Sequence, residues 1–483
     1  MTFSWNFISP EIAILITAAV LILADIFVKK GRNSIMTAIS IIGIMVAMLF
    51  AFNSARSLGV GFQNIVVNDN ISFFFKIIFC LGTLLTIFAS SNYVKRELHN
   101  IGEYYILIFI ATFGMMVMAS TTDLITIFLG LEVMSIPLYV LAGIGRDRPR
   151  SREASMKYFL MGAFASGFLL YGIALLFGAY GSTNLIEISH RVNIGVNYSQ
   201  ILSSAGLILI LIGLGFKAAI APFHMWVPDV YEGSVAPVTA FMSAGPKAAA
   251  FAALFRIFAL FSPVISDKFS TIIWILAVLT MTWGNILAIS QKNIKRMLAY
   301  SSISHAGYVL MSLLVGGEPG LSSGIFYLLA YTIMNMGAFS VIIMFTGKGE
   351  KRENIKDFAG LGYKKPFEAL ALTVFMLSLA GIPATAGFMG KYRIFAASLN
   401  AGFVWLTIIA LMNSLVSVWY YLGIVVTMFM TSSDEQKTEI VPSTTLMVAI
   451  LIALFGTIYL GLFPDRWLHL ANRAGASFFW LFQ

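Results

Sequence analysis

The chain has 483 residues, of which 59% are hydrophobic and 11% charged, with a formal net charge of +9; soluble proteins carry about a quarter charged residues, so a soluble globular protein is excluded. A single cysteine, Cys80, excludes an internal disulfide, an iron–sulfur site and a thiolate zinc site, since each needs several sulfur ligands. At about 20 apolar residues per membrane-spanning helix, the hydrophobic content supplies roughly fourteen spans and leaves no room for a sizeable domain outside the bilayer.

Apolar runs bounded by charged or Gly/Pro/Asn-rich breaks predict helices over about 10–28, 35–53, 71–92, 102–120, 122–144, 153–179 and 201–230. They continue over about 235–261, 270–290, 294–315, 321–347, 367–399, 403–431 and 443–463. The expected fold is an all-α, polytopic membrane helical bundle of about 14 transmembrane helices. Nothing basic precedes Lys29, so the first run reads as a true span, not a cleaved leader, and the mature chain is expected to begin near Met1. Nineteen Lys and Arg fall in loops after odd-numbered spans, among them Lys29, Arg96, Arg148, Lys295, Lys351 and Lys437. The opposite loops and both tails hold five: Arg56, Arg191, Lys268, Arg466 and Arg473. By the positive-inside rule both termini are expected to face away from the cytoplasm. The same asymmetry accounts for the net charge without nucleic acid, because no basic, aromatic-interleaved groove is present.

Span seven contains Gly213, Gly215, Lys217, Pro222 and Pro228, and span twelve Gly381, Pro383, Gly387, Gly390 and Lys391. Proline removes an N–H and clashes with the preceding turn, so both helices are expected to break inside the membrane, near 217–228 and 381–391. Lying five spans apart, they run in opposite directions, which predicts two inverted five-helix repeats. The expected organisation is three N-terminal transmembrane helices over 1–100, a first repeat over 101–262, a second, inverted repeat over 263–431, and a last transmembrane helix with a short tail over 432–483.

Seven basic residues remain inside spans: Lys76, Lys157, Lys217, Lys247, Arg256, Lys391 and Arg393. A charge at the bilayer centre costs about 3 kcal/mol on insertion scales, so each needs a partner or a use. Glu132, in the middle of span five, is either half of a structural ion pair or a proton relay. Lys217 lies beside the break of span seven, and since the charge state of a buried lysine depends on its distance from a carboxylate, Glu132 is its candidate partner. Lys247 and His305 lie at a similar depth; a histidine there serves as a satisfied core residue or as a relay. His224, past the first break, is a helix-end ligand or a relay. Lys391 follows the second break, as a snorkelling side chain or a second buried proton carrier, with Arg393 beside it structural. Lys76 and Asp25 lie near enough to span ends to snorkel. Lys157 is placed for a channel mouth, and Arg256 for a structural pair or an exit-path charge. Haem is not expected, because only His224 and His305 lie in spans, and no Gly-rich phosphate cradle follows a strand.

The run from Gly215 through Lys217, Pro222, His224, Trp226 and Pro228 to Gly233 resembles the hallmark of the antiporter-like membrane subunits of respiratory complex I. Leu131-Glu132-Val133-Met134-Ser135-Ile136-Pro137, Gly245-Pro246-Lys247, Ala299 to Tyr308 and Gly387-Phe388-Met389-Gly390-Lys391 are similar to the N-type subunit in particular. Two features separate it from its paralogues: the chain stops about 20 residues after Pro464, without a long lateral helix, and residue 391 is lysine where the M-type carries glutamate. Val235-Ala236 departs from the family's usual Pro-Thr, which puts in doubt only the local loop shape.

This resemblance implies a proton-translocating subunit of a proton-pumping NADH:quinone oxidoreductase (translocase) in a bacterial inner membrane, with no redox chemistry of its own. Glu132, Lys217, Lys247, His305 and Lys391 would form the proton path, with Lys157, His224 and Arg256 secondary. Catalytic, cofactor-binding and metal residues are not expected in this chain. FMN, iron–sulfur clusters and quinone would be held by partner subunits, and the other partners would be the lipid bilayer and protons, with no nucleic acid. The alternatives are a subunit of a multisubunit cation/proton antiporter or of a related ferredoxin-dependent pump.

Overall fold

The computed structural model describes residues 5–28, 30–98, 101–195, 199–261, 267–432 and 443–480; Lys29 and Lys437 lie outside the described residues. The helices are α1 (Ser9–Phe27), α2 (Arg32–Ser54), α3 (Asn70–Glu97), α4 (Ile101–Ala119), α5 (Leu124–Ala142), α6 (Pro149–Tyr180) and α7 (Leu185–Asn193). They continue with α8 (Gln200–Ala218), α9 (Trp226–Gly233), α10 (Ala236–Phe261), α11 (Asp267–Ile289), α12 (Ile294–Val315) and α13 (Gly317–Phe345). The last six are α14 (Leu361–Lys364), α15 (Pro366–Ala380), α16 (Ala386–Asn400), α17 (Val404–Met430), α18 (Thr444–Leu462) and α19 (Asp465–Trp480). Thirteen described helices are long and apolar enough to cross a bilayer. The pair α15 and α16, 15 residues each, supplies one more, broken crossing. These are the spans that the apolar runs predict.

The two least apolar spans are among the most buried. Helices α10 and α12, which carry Lys247, Arg256, Lys295 and His305, are among the least apolar spans, yet α10 is buried along its whole membrane window and α12 nearly so. The outer helices α2, α6, α11, α17 and α18 instead turn Leu49, Phe164, Trp283, Trp419 and Phe455 outward. In hydrocarbon the polar groups must find partners within the protein, so these two spans go inside, while the exposed apolar side chains of the outer helices face lipid or a neighbouring chain.

Loops after odd-numbered spans meet on one face. Glu350, just past α13, accepts from Tyr93 Oη (2.8 Å) at the end of α3, from the Ala236 N–H (2.7 Å) at the start of α10, and from Lys295 Nζ (3.0 Å) on α12. It also pairs with Arg148 (2.7 Å) before α6. The opposite face is organised by a hairpin, β1 (Gly59–Gly61) with β2 (Val66–Asn68), in which Gly59 pairs with Asn68. There the Thr122 N–H donates to Ile65 O (3.0 Å) and Asn184 Nδ2 to Asn64 O (2.7 Å).

Close helix contact is set by small residues. A Cβ on Gly114 of α4 would lie 2.5 Å from the Met134 backbone nitrogen and 2.7 Å from Gly130 O, both on α5. These are backbone atoms of a packed helix and cannot give way. Gly114→Ala is therefore expected to destabilise the chain by about 1–3 kcal/mol, the usual cost of overpacking; the thermal midpoint of the purified protein checks it.

Lys76 corrects the expectation of snorkelling. It is fully buried, 2.9 Å from Glu11 and donating to Phe7 O (3.2 Å). Helix α3 is enclosed by its neighbours, so no lipid headgroup lies within reach of this side chain. Asp25 stays near the rim, paired with Arg32. Beyond α18 the tail forms α19, which packs on α3 and α13, and Arg393 donates to Asn472 on it (3.0 Å).

Candidate functional site

The first break follows from the sequence around Pro222. Helix α8 stops at Ala218, Ala219 is left-handed (φ 65°), and helix resumes only at Trp226. The freed carbonyls are covered locally: Gly215 O accepts from the Ile220 N–H (2.8 Å), and Phe216 O from Trp226 Nε1 (2.9 Å). The Ala221 N–H reaches Thr280 Oγ1 (3.0 Å) on α11. The second break is closed by a charge. Helix α15 ends at Gly381 (φ 90°), and Lys391, on α16, reaches back to donate to Leu379 O (3.0 Å) and Ala380 O (2.8 Å), with Ser414 Oγ at 2.9 Å. An ammonium on the last carbonyls of a half-helix meets the negative end of its dipole. Lys391 thus follows its break while Lys217 precedes its own, so the two lysines are not counterparts residue for residue. Glycines 387 and 390 lie within α16, past the break itself.

Lys217 is buried and donates to Tyr158 Oη (3.0 Å). Its Nζ also lies 5.2 Å from the centre of the Tyr139 ring. Glu132 is only partly buried; its carboxylate accepts from Ser166 on α6. The Glu132 charge acts on both Lys217 and Tyr139, but no ion pair within 4 Å is formed. The contact pair anticipated from sequence is therefore an open one: the serine holds the carboxylate and the tyrosines hold the ammonium.

From Lys217 a series of buried aromatic rings leads to the next polar group. Trp226 stacks on Tyr158 (4.4 Å between ring centres) and lies edge-on to Tyr231 (6.1 Å). Lys247 sits 5.7 Å from the centre of Tyr231 and donates to Ser302 Oγ (2.5 Å) and Ser302 O (3.0 Å). One turn along α12, His305 is held between the hydroxyls of Tyr327 (2.5 Å, at Nδ1) and Tyr421 (3.0 Å, at Nε2). Tyr308, three residues on, presents its ring to Lys391 at 5.2 Å. The structure brings Lys217, Lys247, His305 and Lys391 into one row, with Glu132 at its α5 end.

The secondary candidates separate from this row. Lys157 is near the start of α6, half-exposed, and bound to Asp229 (2.8 Å) and Glu153 (2.7 Å). Arg296, which bonds Asp229 (2.7 Å) and Glu232 (2.9 Å), completes a charged rim above the first break. Arg256 is fully buried and clamps Asp69 with two bonds of 3.0 and 2.8 Å while donating to Ala119 O (2.9 Å), which favours the structural-pair reading. Burial opposes ionisation of Asp69, but the Arg256 guanidinium and the Ser72 donors prevail and hold its carboxyl below the usual range. His224 is buried, with Nδ1 unpartnered, on a groove shared with Met225, Pro228, Trp283 and Tyr300.

Sequence reasoning passed over the tyrosines. Tyr139 lies seven residues after Glu132 and Tyr308 three after His305, helical spacings that place each on the face of its charged neighbour. Tyr158, Tyr231, Tyr327 and Tyr421 come from separate elements and carry no such local signal.

Residues 121–417 match the family described as NADH:quinone oxidoreductase/Mrp antiporter, TM. The chain is 47% identical to NADH-quinone oxidoreductase subunit N of Trichlorobacter lovleyi over 98% of its length and 97% of that protein, and 41% identical to subunit N 1 of Solibacter usitatus over 97% and 96%. Among solved structures, a chain of respiratory complex I from Thermus thermophilus superposes with a TM-score of 0.82 at 34% identity, over 96% of this chain and 99% of that one. A chain of the Mrp complex from Dietzia shares the fold, with a TM-score of 0.84 at 22% identity over 98% and 97%. With more than half its length inside the matched region and near full-length relatives above 40% identity, this chain belongs to the NADH:quinone oxidoreductase/Mrp antiporter family of multi-pass membrane proteins, among the subunit N proteins of NADH-quinone oxidoreductase.

Proposed function

We propose that this chain is a proton-translocating membrane subunit of an NADH:quinone oxidoreductase, and that Glu132, Lys217, Lys247, His305 and Lys391 carry the proton. The observation that supports the reading is the buried row of Lys217, Lys247, His305 and Lys391, in which none of the three lysines has a contact carboxylate among the described residues, unlike the paired Lys76 and Arg256. Electron transfer from NADH to quinone takes place in partner subunits, which hold the FMN and iron–sulfur clusters. A signal from that reaction moves Glu132 relative to Lys217, and the proton of Lys217 passes through Lys247 and His305 toward Lys391. The basic loops around Glu350 face the cytoplasm of a bacterial cell, and both termini face the other side of the inner membrane.

Gently solubilised membranes, run on a native gel and stained for NADH dehydrogenase activity, test the assembly. The chain is expected to co-migrate with a large active band, and inverted vesicles from the same cells to acidify on NADH without added sodium. Separation from that band, together with collapse of the vesicles' acid-inside pH gradient when sodium is added, would instead make it part of a cation/proton antiporter.

A further inference from the structure

Each of the three lysines in the buried row lies against the face of a tyrosine ring. Lys217 Nζ is 5.2 Å from the centre of Tyr139, while it meets Tyr158 through the hydroxyl; Lys247 Nζ is 5.7 Å from Tyr231, and Lys391 Nζ 5.2 Å from Tyr308. All fall within the roughly 6 Å over which the negative face of an aromatic ring attracts an ammonium. Tyr139, Tyr231 and Tyr308 are buried and come from α5, α9 and α12, so no single motif generates the pattern. Among the described residues no carboxylate approaches any of the three lysines within ion-pair distance. The Tyr308 hydroxyl has no hydrogen-bond partner among the described residues, and it is the ring that Lys391 Nζ faces, at 5.2 Å.

We propose that these ring faces stand in for contact carboxylates, and that Tyr231 and Tyr308 are positioning residues that set how readily Lys247 and Lys391 release a proton. The inference rests on the proton-path reading above. A contact carboxylate would attract the charge strongly and also offer lone pairs to the proton, fixing the lysine in one state. A ring attracts the ammonium, offers no basic lone pair, and releases its hold once the lysine is neutral. Around Lys391 the other groups are consistent with this role. Helix α12 contributes His305 and Tyr308, α13 contributes Tyr327, which packs on Gly390, and α17 contributes Ser414 and, through His305, Tyr421. Helix α15 contributes two carbonyls, and α18 has no charged side chain.

The test is a graded one at Tyr308. Tyr308→Phe removes the hydroxyl and keeps the ring, and mono-, di- and trifluorinated phenylalanines at the same position weaken the ring's negative face at nearly constant shape. NADH-driven pumping in inverted vesicles, normalised to assembled complex and to NADH oxidation, is followed across pH. Its alkaline limb is expected to move to lower pH with each fluorine, by about one unit over the series. A limb that stays put through the series overturns the proposal, as does loss of pumping already at Tyr308→Phe, since the hydroxyl would then be the working group. The same series at Tyr231 provides a second measurement should one position prevent assembly. Lys391→Met separates the two levels of argument: a variant that still pumps removes the proton-path reading, whereas a silent Lys391→Met with a flat fluorine series removes only the role of the rings.

Discussion

Lys217→Met is expected to abolish NADH-linked proton pumping, by at least about tenfold, while leaving the chain in the membrane and the complex assembled. Methionine fills a similar volume within the ring pocket of Tyr139 and Tyr158, so packing survives and only the titrating group is lost. Lys217→Arg makes the sharper variant. Arginine keeps the charge and can donate to Tyr158, but it does not release its proton in a protein. If Lys217 serves only as a fixed positive charge, the arginine variant pumps; if Lys217 carries the proton, it is as silent as methionine. Full NADH-linked pumping by Lys217→Met would sink the scheme.

The size of the available driving force agrees with this assignment. Moving one charge against 150–200 mV needs about 3.5–4.6 kcal/mol, and two opposite charges brought to 4 Å at an effective dielectric of 20 gain about 4 kcal/mol. In this structure Glu132 is held by Ser166 and Lys217 by the tyrosines, so the pair is open. On the proposed scheme, movement of Glu132 relative to Lys217 would close this pair, rather than break a contact already made. Glu132→Gln should reduce pumping less than Lys217→Met does, because it removes the charge that acts on the lysine and leaves the lysine itself in place.

The fold was legible from sequence because the bilayer imposes a length on every apolar run, and proline and glycine mark where a run must break. The candidate residues were legible for the same reason, since a lysine such as Lys247 in the middle of an apolar helix needs a partner or a use. What escaped was pairing. That Lys76 meets Glu11, that Arg256 meets Asp69, and that Ser166 takes the Glu132 carboxylate all depend on which helices become neighbours, and the sequence periodicity of a span buried on every side gives no face to read. Helix α3 illustrates this: it is apolar almost all round, and nothing along it announces that Lys76 faces α1 and not lipid.

Glu350→Ala is expected to lower stability at pH 7 by about 3 kcal/mol, the low end of the cost of breaking a buried pair. Its carboxylate is buried and serves Tyr93, Ala236, Lys295 and Arg148 at once. The cost stays near the low end because Lys295 keeps Glu353 (2.7 Å) and Arg148 keeps Glu97 (3.6 Å). Burial alone would push the Glu350 carboxyl up, but Lys295 and Arg148, with the bonds from Ala236 and Tyr93, outweigh it and hold the group below its ordinary value of 4.5. A carboxyl lowered in the folded state stabilises the fold at pH above that ordinary value and loses the contribution as pH falls through its folded value. The thermal midpoint of Glu350→Ala should therefore lie well below that of the parent at pH 7, with the gap narrowing in acid. A midpoint equal to the parent's at pH 7 would show that the carboxylate holds nothing. The consequence extends to the proton path, because Ala236 opens the helix that carries Lys247 and Lys295 lies in the first turn of the one that carries His305. One carboxylate outside the membrane thus ties together the helices of two proposed proton carriers inside it, and Glu350→Ala should lose pumping even at temperatures where the complex remains folded.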